Sequence, residues 1–82
     1  MPALRILNGH GDTCVTWDET LYTAGDAEQV AAVREAERLF AAARAAGGTA
    51  FRVRPGAPAE RITRLEPIIP DDVLIVPPMT GG

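Results

Sequence analysis

The chain has 82 residues, 46% of them hydrophobic and 23% charged, with a formal net charge of −3. That length makes one domain with a single core, burying about 60% of the unfolded chain's surface and leaving no room for a deep enzyme pocket. The acidic balance works against general phosphate or nucleic-acid binding, which needs a basic surplus. No apolar run reaches the roughly 18 residues of a membrane helix. The opening, MPALRILNGHG, carries one arginine before a very short apolar stretch and does not read as a signal peptide. Cys14 is the only cysteine, so no internal disulfide is available and a reducing, cytoplasmic setting is expected. All eight basic residues are arginine and none is lysine. An Ala/Arg/Gly/Pro-rich chain from a GC-rich genome accounts for this, and so does a protein whose own C-terminus is joined to lysine amines.

The first predicted strand is ALRILN, Ala3 to Asn8, followed by a tight GHGD turn and a β-branched, aromatic second strand, Thr13 to Asp18. Strand, glycine-rich turn and strand make a hairpin. ETLYTAG then crosses to a helix opened by Asp26, with Gln29 three residues on as in a capping box. The helix runs from Ala27 to about Ala46. Val30, Val33, Ala36, Phe40 and Ala43 form its apolar stripe, and Gly47 and Gly48 close it. Arg34–Glu37 and Glu35–Arg38 are spaced to pair across one turn.

A third strand spans Thr49 to Arg54. Phe51 and Val53 point one way, towards the core, and Ala50, Arg52 and Arg54 the other. RITRLE is a candidate fourth strand with Ile62 or Leu65 in the core. VLIV, Val73 to Val76, is continuously apolar, as a buried central strand is, and Pro77 ends it. Residues 1–76 make the domain and 77–82 a flexible tail. Strands around one long helix describe an α+β layer, a mixed sheet of four or five strands with the helix on one face. The β-grasp folds share this order, with first and last strands parallel at the sheet centre.

Few residues offer chemistry. His10 is the only histidine, so GHGDT lacks the ligands of a metal site and reads as a turn. Cys14 sits mid-strand and is expected to be packed rather than reactive. Trp17 and Tyr22 read as core or loop anchors. No catalytic residue and no metal are expected. Arg5, Arg52 and Arg54, with Arg61 beside them, form a candidate docking surface on the helix-free face, suited to carboxylates of an acidic partner.

The tail carries the strongest signal. Gly81 and Gly82 have no side chain, so an extended end can thread a channel that excludes any Cβ and leaves its carboxyl carbon open. Pro77 and Pro78 make the base of the tail project. DDVLIVPPMTGG resembles the C-terminus of the MoaD/ThiS group of ubiquitin-like sulfur carriers. Asp71, Val73, Pro77, Pro78, Gly81 and Gly82 match a D-x-V-x-x-x-P-P-x-x-G-G ending position by position. The resemblance implies a β-grasp carrier, not an enzyme, whose Gly82 is adenylated by a ubiquitin-activating-type enzyme using ATP. Gly82 would then carry sulfur as a thiocarboxylate or form an isopeptide bond. Pro77, Pro78, Met79, Thr80 and Gly81 would be gripped by that partner. A conjugating enzyme, an isopeptidase or a sulfur-acceptor enzyme would follow. The resemblance leaves the subfamily open among molybdopterin, thiamin and tRNA sulfur carriers, bacterial ubiquitin-like modifiers and phage-associated β-grasp proteins.

Overall fold

The computed structural model describes residues 1–7 and 12–78. Its elements are β1 (Ala3–Ile6), β2 (Thr13–Thr16), α1 (Glu19–Thr23), α2 (Ala27–Ala45), β3 (Thr49–Val53), β4 (Glu60–Ile62) and β5 (Asp72–Val76). The predicted turn between β1 and β2 falls on Gly9, His10 and Gly11, which lie outside the described residues.

The strands form one sheet in the order β2-β1-β5-β3-β4. β1 and β5 run parallel, and every other neighbouring pair is antiparallel. The architecture is therefore α+β: a five-stranded mixed sheet with one long helix across one face. β5, the last strand, lies at the centre, and its neighbours bury Val73 and Ile75.

α2 forms where good helix formers run without interruption, and it starts and stops where the sequence predicts. The Asp26 side chain accepts from the Gln29 N–H at 3.1 Å. Gln29 does not complete the box: its Oε1 accepts instead from the Asp18 N–H at 2.7 Å, tying the two helices' starts together. At the other end the Gly47 N–H donates to Arg44 O and the Gly48 N–H to Ala43 O, a Schellman closure with Gly47 at φ +95°. α1 was not foreseen. Asp18 caps it, accepting from Thr20 and Leu21 N–H, and Gly25 ends it with the same pair of bonds at φ +85°. Five residues are too few for a periodic pattern, so only the cap could have announced it.

Val33, Ala36 and Phe40 of α2 join Leu4, Trp17, Ala50, Ile62, Val73 and Ile75 in the core. Trp17 is 1% exposed, and its indole N–H donates to Pro67 O at 2.9 Å, which pins the segment before β5. β3 corrects the expectation for its two faces. Ala50 pairs with Ile75 and Ile62 and is fully buried, whereas Phe51 is half-buried on the helix-free side. β3 alternates as its sequence predicts but in the opposite sense, because pairing register, not side-chain size, decides which parity faces the helix.

Candidate functional site

The strand that leads to the tail is fixed at both ends. The Asp72 carboxylate accepts from the Ala3 N–H at 3.0 Å, and the Leu7 N–H donates to Ile75 O at 3.0 Å. Just before the strand, the Asp71 carboxylate lies 3.4 Å from Arg54 Nε. Pro77 has no N–H, so the ladder stops there, and Pro77 and Pro78 are exposed. Met79, Thr80, Gly81 and Gly82, the predicted working end, lie outside the described residues.

The base of the tail rests on the end of α2. A Cβ at Gly47 would stand 3.4 Å from Pro78 Cβ and 3.6 Å from its Cγ, ordinary van der Waals contact, so Pro78 lies beside the end of the helix. Gly48 is tighter: a Cβ there would meet Ala43 O at 2.9 Å, Ile75 Cγ2 at 3.0 Å and Val76 O at 3.2 Å. Both glycines close the helix, and Gly48 also lets β5 pass close against it. Strand directions gather the end of β5, the start of β3, the end of β4 and the C-terminus of α2 at one pole of the molecule.

The predicted arginine surface is not assembled as expected. Arg52 pairs in register with Val73, which faces α2, whereas Arg5 pairs with Leu74 on the opposite side. One shift of parity separates them. The Arg52 side chain is 15% exposed, with Glu60 at 3.7 Å and Glu66 at 3.5 Å, so it clamps β3 to β4 and the following segment. Arg54 is held by Asp71. Both arginines are engaged by the protein's own carboxylates.

A different row lies across the helix-free face. Cys14, Arg5, Leu74, Phe51 and Arg61 are successive register partners from β2 to β4. Two half-buried apolar side chains, Leu74 and Phe51, are flanked by exposed Arg5 and Arg61. Arg5 and Arg61 make no ion pair among the described residues. Sequence reasoning missed the centre of this row because Phe51 was assigned to the core and Leu74 was not separated from its buried neighbours. Cys14 belongs to the row and is exposed, contrary to the packed position expected of it, since β2 turns that parity away from α2.

Among the described residues no three His, Cys, Asp or Glu side chains are placed to hold a metal ion, and no helix is long and apolar enough to cross a membrane. No family model matches the chain, and no curated protein or solved structure matches it.

Proposed function

We propose that this chain is a ubiquitin-like carrier of the β-grasp type, not itself an enzyme, whose Gly82 carboxylate is activated by a partner. The carboxylate oxygen attacks the α-phosphate of ATP in the partner's site, releasing pyrophosphate and leaving an acyl adenylate. Sulfide then displaces AMP to give a thiocarboxylate, or a target amine displaces it to give an amide and a proton. One observation carries the reading: the D-x-V-x-x-x-P-P-x-x-G-G ending issues from the central strand of the sheet, paired parallel to the first strand. The strand order and the parallel centre support the β-grasp assignment. Pro77 and Pro78, exposed beyond a strand bonded on both edges, offer a stiff base from which a glycine end could reach into a narrow channel.

The reading needs Gly82 to be a free terminus in the working protein, and intact mass spectrometry on protein isolated from its own host tests this directly. A mass ending at Gly82 with sulfur in place of one oxygen marks the sulfur carrier. Gly-Gly remnants on other proteins mark the modifier. Neither product, together with an unchanged phenotype on deleting Gly81 and Gly82, would exclude the carrier.

A second reading is favoured by the Arg5–Leu74–Phe51–Arg61 row: a non-covalent interaction module that docks through the helix-free face. Here Arg5→Glu with Arg61→Glu should abolish function while loss of Gly82 does not. Arg52 is unsuited to this test, because its substitution breaks contacts inside the fold.

A further inference from the structure

At the tail pole a cavity of about 490 Å³ opens between α2 and the chain that follows β4. Phe40 and Leu65 give it an apolar floor. Arg44 and Arg64 line it together with Thr63, and Glu37 is the only carboxylate among its lining residues. In a chain of net charge −3 this is a local inversion of sign. Arg38, Arg52 and Arg54 are each matched by a carboxylate, but among the described residues Arg44 and Arg64 have none within 4 Å. Arg44 stands in the last turn of α2, where it offsets the helix dipole. Arg64 lies on no helix, so the dipole does not account for the pair. The cavity lies at the pole where β5 ends: Arg44 is one turn before Gly47, which Pro78 adjoins, and Thr63 directly follows Ile62, which like Ile75 pairs with Ala50.

We propose that this pocket docks an acidic segment of a partner protein bearing a bulky apolar side chain. The apolar group covers Phe40 and Leu65, and a neighbouring carboxylate takes the guanidinium fork of Arg64 or Arg44. Its place beside the tail makes that partner the enzyme that takes Gly82. The partner's identity rests on the carrier reading, whereas the pocket itself does not.

The test is an amide NMR titration of the full chain with acetyl-Asp-Glu-Leu-Asp-Phe-amide and with the same peptide carrying Asn and Gln for its acids. Shifts should be confined to residues 37–44 and 63–65. The neutral peptide, and the acidic one with an Arg44→Glu/Arg64→Glu variant, should bind at least about tenfold more weakly. Arg64→Gln alone should give an intermediate loss, which keeps the test decisive if the double variant misfolds. No shifts, shifts centred on Leu74 and Phe51, or equal binding of the neutral peptide would each overturn the pocket. The mass measurement on Gly82 is independent, so either idea can fail while the other stands.

Discussion

Gly47 and Gly48 show how much a missing Cβ can decide. Gly48 has an ordinary backbone, so its substitution is a purely steric experiment. Gly48→Ala drives a methyl into Ala43 O and Ile75, and overpacking of this kind costs about 1–3 kcal/mol. It should lower the urea midpoint with the slope unchanged. Gly47→Ala meets a left-handed backbone, which costs about 1–2 kcal/mol for an L side chain, while the added methyl sits at ordinary contact distance from Pro78. Trp17, 1% exposed and bonded to Pro67, is the largest fully buried side chain. Trp17→Ala should cost about 3–5 kcal/mol, a large share of what a domain this size possesses, and a thermal melt would register it.

At the scale of elements, the arginines divide by what their strand register gives them. Arg52, mostly covered and facing Glu60 and Glu66, holds β4 in place. Arg52→Met should lower stability by about 1 kcal/mol in low salt and by less in high salt, because both partners are substantially exposed. Arg5→Glu should leave stability within about 0.5 kcal/mol of the parent, since its row is open to solvent. On α2 the Arg38 guanidinium donates to Glu35 and holds that carboxyl below the usual carboxylate range. A depressed folded pKa means that the pair's small contribution is present above the unfolded value and is lost as pH falls through the folded one. Arg38→Ala should return Glu35 to an ordinary titration, as carboxyl-carbon NMR would record.

For the molecule as a whole, the first and last strands meet at the sheet centre. β1 and β5 are separated by most of the sequence yet pair in parallel, so the fold closes only when the last strand arrives. Hydrogen exchange should accordingly be slowest in β5 and β1 and fastest at β2 and β4, whose outer edges have no partner strand among the described residues. Removal of Gly81 and Gly82 should leave the melting temperature unchanged, because the core residues among those described all precede Pro77, and on the carrier reading it should abolish activation. Removing residues 72–82 should unfold the protein.

Local chemistry was enough to place α2, its glycine closure, the first two strands and the continuously apolar last strand. Each depends on a period, a cap or a proline within a few residues. The ending that motivates the carrier reading was legible for the same reason. Which parity of β3 meets α2 was not, and with it went the positions of Phe51, Arg52 and the true cross-strand row on the open face. Nor could the sequence show that Pro78 lies on Gly47, or that Arg44 and Arg64 share one cavity. These depend on register and on contacts between distant segments, which only the packed sheet and helix determine.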